Sequence, residues 1–246
     1  MNTVGRILIA FGLVLAATVP RASAMNGDTA MMKPTHEFRY ISPGYSWADL
    51  GKVNAFLNSE GLAGFSDQAW TIALGGYRDY HRLIMESALS ARIWGSNLTG
   101  SLRVSLFAGD LTWNTGFNVL PSEWSTSAFP YFGLGVGLND MYFRANSRSL
   151  GSLLSSVDSN FSAWELTPLL NLGIGSNFLL PNKDGTRGLA IGLRVGYLVD
   201  LYMSKRWYSD GIYVNNLPSI LQNGPYIRLI VGGWGGHHMH HHNNEG

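Results

Sequence analysis

The stretch at residues 188–203, GLAIGLRVGYLVDLYM, separates by parity. Odd positions carry Leu189, Ile191, Leu193, Val195, Tyr197, Val199 and Leu201, and even positions carry Ala190, Gly192, Arg194, Gly196, Leu198, Asp200 and Tyr202. Successive side chains of a strand point to opposite faces, so the pattern predicts a strand with one unbroken apolar face. Arg194 and Asp200 share the other face, roughly 20 Å apart along the chain and out of each other's reach.

The alternation recurs along the chain. Residues 164–175 set Trp164, Leu166, Pro168, Leu170, Leu172 and Ile174 against Glu165, Thr167, Leu169, Asn171, Gly173 and Gly175. Residues 226–234 set Ile227, Leu229 and Val231 against Tyr226, Arg228, Gly232 and Trp234, and residues 132–139 alternate apolar side chains with Gly133, Gly135, Gly137 and Asn139. Residues 82–93 place Leu83, Met85, Leu89, Ala91 and Ile93 opposite Arg82, Glu86, Ser90 and Arg92, with Ser87 and Ile84 as interruptions. Residues 70–77 oppose Trp70, Ile72 and Leu74 to Thr71, Ala73, Gly75 and Tyr77. In residues 102–119 the apolar set begins on even positions (Leu102, Val104, Leu106) and continues on odd ones (Leu111, Trp113, Phe117, Val119). A bulge near Gly109 and Asp110 is the expected cause, since one extra residue inverts the facing, and it leaves Arg103 pointing inward.

These seven strands are joined by short segments at 78–81, 95–100 and 181–187 and by longer ones at 145–160 and 204–223, which fall on one end of an up-and-down meander. A soluble sheet would bury its apolar set and decorate the other face with charge. Here the second face is mostly glycine, serine and tyrosine, and the apolar face runs about as far as a tilted strand needs to cross hydrocarbon. In lipid every backbone group must be satisfied within the protein, so the sheet is expected to close. Such barrels have even strand numbers, which makes His36 to Ile41 the candidate eighth strand. The fold class expected is therefore all-β, a closed antiparallel transmembrane β-barrel of about eight strands with a short N-terminal helix. Trp70, Trp94, Trp113, Tyr131, Trp164, Trp207 and Trp234 lie near strand ends, where aromatic girdles belong.

The helix is expected from Trp47 to about Ser59, capped by Ser46, with Asp49 three residues on, Gly61 as its stop, and Leu50, Val53, Phe56 and Leu57 as its apolar stripe. Inward glycines at 75, 133, 135, 137, 173, 175, 192, 196 and 232 leave room in the lumen. Either this helix plugs the space, or Tyr77, Phe107, Tyr202 and Tyr226 fold onto the glycines and the helix lies on the periplasmic rim. Eight strands enclose an interior that side chains can fill.

Composition sharpens the class. Charged residues are 13% of the chain, against about a quarter in soluble domains. Residues 1–24 combine Arg6, an apolar run from Ile7 to Val19 and Ala22-Ser23-Ala24, the features of a secretory signal too short to span a bilayer as a helix. Removing them takes Arg6 and Arg21 from seventeen basic residues and none from sixteen acidic ones, so the mature chain is nearly neutral and nothing points to nucleic acid. There is no cysteine, which suits an oxidising compartment and leaves stability to packing and the hydrogen-bond ladder. The organisation expected is a signal peptide (1–24), an extension with candidate strand and helix (25–67), the barrel (68–235) and a histidine-rich tail (236–246).

The segments LNSEGLAGFSDQAWTIALGGYRDYHRLIMESALSARIW and GPYIRLIVGGWGG resemble small outer-membrane β-barrel proteins of Gram-negative bacteria, over roughly residues 68–235. The resemblance implies outer-membrane lipid and the barrel-assembly machinery as partners, and a structural or small-solute transport role. Such barrels commonly finish on an aromatic assembly signal, whereas this chain continues past Trp234 into GGHHMHHHNNEG.

The candidate chemistry is the set of inward charges Arg82, Glu86, Arg92, Arg103, Glu165, Arg194, Asp200 and Arg228. Buried charges need partners, so the three carboxylates are expected to pair across strands with arginines. Alternatively the arginine excess forms an anion-favouring constriction or binds an anionic ligand. His237, His238, His240, His241 and His242 are the candidate metal ligands, against a solvated tail. An enzyme acting on lipid needs a serine beside a histidine; His36 and His81 are the histidines outside the tail, and His81 stands beside Tyr80 with no neighbouring serine motif, so no catalysis and no cofactor are expected. A periplasmic lipocalin-like barrel with its apolar face inward is the soluble alternative, and a lipid-modifying outer-membrane enzyme the catalytic one.

Overall fold

The computed structural model describes residues 36–80, 82–99, 102–121, 124–145, 160–183, 187–201, 207–209, 211–215 and 217–235. Residues 1–35, His81, Tyr202, most of the 145–160 segment and the tail histidines His237, His238, His240, His241 and His242 lie outside them.

Among the described residues ten strands and one helix follow in chain order: β1 (His36–Trp47), α1 (Gly51–Ser59), β2 (Gln68–Tyr80), β3 (Leu83–Thr99), β4 (Leu102–Phe117), β5 (Thr126–Ala145), β6 (Asn160–Pro181), β7 (Arg187–Asp200), β8 (Trp207–Ser209), β9 (Ile212–Val214) and β10 (Gly224–Gly235). Strands β1 to β7 pair antiparallel with their sequence neighbours, β7 pairs with β10, and β10 closes the ring onto β1. The eighth strand is thus β1, the His36–Ile41 candidate carried on to Trp47. The β8–β9 hairpin pairs with β6 at Trp164, beyond the point where β7 stops.

Following paired residues once around the ring from Phe129 passes Gly175, Arg194, Arg228, Gly44, Thr71, Arg92 and Ala108, and returns to β5 at Asn139. The shear is therefore ten residues, the difference between positions 129 and 139, and it tilts the strands against the barrel axis. His36, Gly235 and the strand ends that flank 81–82, 118–125 and 182–186 lie at one end, the short-turn end, and the strand ends that flank 48–67, 100–101, 146–159 and 201–223 at the other, the long-loop end.

The alternation read from the sequence holds, and its facing is decided. Ile174 is 67% exposed, Phe132 62% and Leu134 61%, and Ile72, Leu172, Ile191, Leu193, Leu229 and Val231 point outward with them. Arg92, Glu165 and Arg194, by contrast, are buried in the interior. This is opposite to a lipocalin-like barrel. The belt is flanked by Tyr45 tilted against Trp70 (centroids 3.9 Å apart) near the long-loop end and by Trp113 and Phe117 near the short-turn end. Trp164 also lies outside, stacked on Tyr208 at 4.9 Å. Of the other expected girdle residues, Tyr131, Trp207 and Trp234 are buried inside and Trp94 packs against the inner mouth cluster.

The expected bulge in β4 is not there. Residues 102–117 alternate without interruption, and the register shift lies in β3 between Ile93 and Ser96, at Gly95 with φ 84°. Val104 and Leu106 consequently face inward, while Arg103 is exposed outside and Phe107 shares its face. The apolar switch marks a change in what the inner face meets, from polar lumen to apolar cap.

That cap is built on α1. The helix begins at Gly51, later than expected, because Ser46 and Trp47 are still held in β1 by Ala69 and Gln68. Asp49 Oδ1 accepts from the Gly51 amide at 3.1 Å. Gly61 stops the helix at φ 71°, with Gly61 N donating to Asn58 O and Leu62 N to Leu57 O, a Schellman closure. Leu50, Val53 and Leu57 pack with Phe65, Val104, Leu106, Met141, Ala163, Trp207 and Ile220 into an apolar layer across the long-loop mouth. Asn54 ties the helix to the return segment through both atoms of the Phe65 peptide, at 2.9 and 2.7 Å. The helix therefore follows β1 and precedes β2 at the long-loop end.

Candidate functional site: the lumen

Below the cap the lumen is filled by aromatic side chains laid over glycines. A Cβ at Gly75 would come within 2.3 Å of the Tyr40 ring, at Gly173 within 2.4 Å of the Tyr131 hydroxyl, at Gly175 within 2.6 Å of Phe129 and at Gly196 within 2.6 Å of Tyr226. Both expected ways of filling the lumen operate at once, at different depths. The aromatics differ from those expected except for Tyr226: Tyr77 stacks on Phe38 at 4.3 Å, Phe107 is outside, and Tyr202 lies outside the described residues.

At the centre, Arg194 on β7 donates to Glu86 on β3 from Nε at 2.9 Å and Nη2 at 2.7 Å. These strands are four apart in a ring of eight, so the bridge crosses the full diameter. Arg194 Nη1 donates to Asn177 Oδ1 at 2.9 Å and to the Ser176 carbonyl at 3.0 Å, and its guanidinium lies 4.8 Å over Phe129. Asn114 donates to Glu86 (3.4 Å), Asn171 to Asn114 (2.8 Å), and the Tyr226 hydroxyl to Asn171 (2.8 Å). The Tyr131 and Tyr226 hydroxyls meet at 2.6 Å. This network joins six of the eight walls in one polar layer. Replacing Tyr226 by Phe removes two of its bonds and is expected to lower stability by about 1–2 kcal/mol, measurable by urea unfolding in detergent.

Nearer the mouth, Arg92 pairs with Asp110 at 3.0 Å. Glu165 accepts from Asn139 and from the Ile220 amide, both at 2.9 Å, and Gln222 donates to Asn139 at 2.8 Å, which fastens the 217–223 segment under the cap. Asp200 accepts from Thr167 at 2.7 Å.

Among the expected lumen charges, Glu86, Arg92, Glu165, Arg194, Asp200 and Arg228 are buried inside. Arg82 is not: it is an exposed turn residue with its guanidinium 5.9 Å from the Phe117 ring. Arg103 is exposed for the parity reason given above. The sequence reading missed Asp110, hidden by the supposed bulge, and Asp79, which is buried at the short-turn end. The arginine excess is thereby overturned: three inward arginines stand against Asp79, Glu86, Asp110, Glu165 and Asp200. Glu86 pairs with Arg194 and Asp110 with Arg92; Glu165 accepts from amides and Asp200 from the Thr167 hydroxyl. His36 Nδ1 stands 4.0 Å from Asp79 Oδ2, beyond hydrogen-bond length, with Trp234 edge-on at 5.6 Å. Among the described residues no group of three His, Asp or Glu side chains is placed to hold a metal ion.

A closed ladder, an apolar outer belt between aromatic rims and a polar, filled interior define the class: an eight-stranded outer-membrane-type β-barrel. No protein-family model and no curated protein matches the chain. Among solved structures it is similar to Ail, the attachment invasion locus protein of Yersinia pestis (12% identity, 82% of this chain and 99% of that one, TM-score 0.47). It is also similar to Neisserial surface protein A (11%, 82% and 97%, 0.40) and to the outer membrane protease OmpT from Escherichia coli (10%, 85% and 99%, 0.39). The class rests on the chain's own ladder and outer wall, not on these distant likenesses.

Proposed function

We propose that the protein is a non-conducting outer-membrane barrel with a structural role, and that it is not an enzyme. The observation that carries this reading is the wall-to-wall bridge from Arg194 to Glu86, embedded in a layer that reaches six strands and lies beneath an apolar cap. A transport path would have to break both layers. Outer-membrane barrels keep short turns in the periplasm and long loops outside, which turns the α1 cap outward. In this reading the leader at 1–24 exports the chain and the barrel-assembly machinery inserts it into outer-membrane lipid.

In planar bilayers the wild-type protein is expected to give no steady ionic current, and deletion of residues 51–61 is expected to leave it closed, because the central layer persists. Steady conductance from the wild type would restore the transport role. The lipid A and phospholipid profile of outer membranes is expected to be the same with and without the protein, and turnover of either would identify an enzyme.

A further inference from the structure

The space between the central bridge and the cap holds two cationic side chains whose donors are incompletely met. Arg228 on β10, Gly44 on β1, Thr71 on β2 and Arg92 on β3 follow one another along a single row of paired residues. Gly44 gives no bulk: Arg228 Cγ lies 2.9 Å from where a Cβ would stand there, so the arginine's arm runs across β1. Its guanidinium lies 4.5 Å over the ring of Tyr226, two residues nearer the capped mouth. Strand tilt sets Arg92 nearer that mouth, three strands along the same row.

Both are withdrawn from solvent, Arg92 at 0% exposure and Arg228 at 6%. Arg92 gives Nη2 to Asp110, but its Nε and Nη1, and Arg228 Nε and Nη2, have no hydrogen-bond partner among the described residues. The hydroxyls of Ser46, Thr71 and Ser90, on the strands between and beside them, are in the same condition, as is Asp110 Oδ1. Two guanidinium groups thus keep unmet donors in a medium of low dielectric, where a charged group short of hydrogen-bond partners is costly. Water can take the free donors but brings no charge.

We propose that this layer binds one small monovalent anion of halide size, held between the guanidinium groups of Arg92 and Arg228, with the Thr71 and Ser90 hydroxyls donating to it. The bridge below and the cap above confine the site to a small ion. The proposal does not depend on whether the barrel conducts.

The test uses the full-length protein folded in detergent, with its unfolding midpoint followed by the heat-modifiable gel shift at fixed scan rate. Sodium bromide is exchanged for sodium gluconate at constant ionic strength. The wild-type midpoint is expected to rise saturably with bromide, by roughly 3–6 °C when bromide reaches tenfold over half-saturation. Arg228→Met is expected to abolish the dependence, and Asp110→Asn, which removes the competing carboxylate, to strengthen it. Equal wild-type midpoints in the two salts would overturn the proposal without reference to any variant. So would a bromide response that Arg228→Met retains.

Discussion

Replacing Glu86 by Ala is expected to lower the stability of the folded barrel by about 3–5 kcal/mol, the cost of leaving a buried charge without its partner. The loss is large because Arg194 has nowhere else to go. Its Nε and Nη2 both point at Glu86 Oε2, its Nη1 is held by β6 and β7 acceptors, and Phe129 covers its face. The side chain is 3% exposed, so water cannot take over from the lost carboxylate without entering the packed layer. Asn114 loses an acceptor in the same step. Urea unfolding of the protein in detergent measures the difference. The double variant Glu86→Ala with Arg194→Met is expected to recover much of it, since removing both charges removes the desolvation penalty together with the attraction. A single-variant loss below about 1 kcal/mol, the range of an exposed ion pair, would mean that water reaches the bridge and that the lumen is not closed there.

Placing arginine at Leu193 is expected to cost about 2–4 kcal/mol in lipid, and at Leu189 on the same face about 0–1 kcal/mol. The two positions have the same chemistry and almost the same exposure, 42% and 43%, so the local protein environment does not distinguish them. Depth in hydrocarbon does. Leu193 lies at the middle of β7, beside Leu229 on β10, whereas Leu189 lies two residues from the short-turn end of the strand. Reversible folding into lipid vesicles, followed by tryptophan fluorescence, measures both. Equal costs at the two positions would indicate an outer wall against water, and the membrane reading would fall with it.

Both effects trace back to one feature of the chain, the period-two alternation at residues 188–203, but they were not equally legible. That Leu193 and Arg194 lie on opposite faces follows from strand geometry alone, and so does the need for a partner for a buried arginine. The identity of that partner does not. Glu86 is 108 residues away in the chain and meets Arg194 because β3 and β7 stand on opposite walls, a relation fixed only when β10 pairs with β1 and the ring closes.

The switch of apolar parity in β4 shows the other limit. A bulge and a change of inner environment leave the same trace in the sequence, because both exchange which parity is apolar. Only the position of α1 against Val104 and Leu106 separates them, and with it the outward facing of Arg103 and the inward facing of Asp110. The inner aromatics follow the same logic: the glycines announced that space was needed, while the rings that fill it come from strands whose neighbours are set by register. What local pattern settled by itself was the strand type, the oily face, the helix stripe and its glycine stop, since each depends on residues within a few positions of one another. The strand pairing that closes the ring, facing at the mouth, and the charge pairs across the lumen depend on residues brought together over long separations, and the tertiary structure alone decided them.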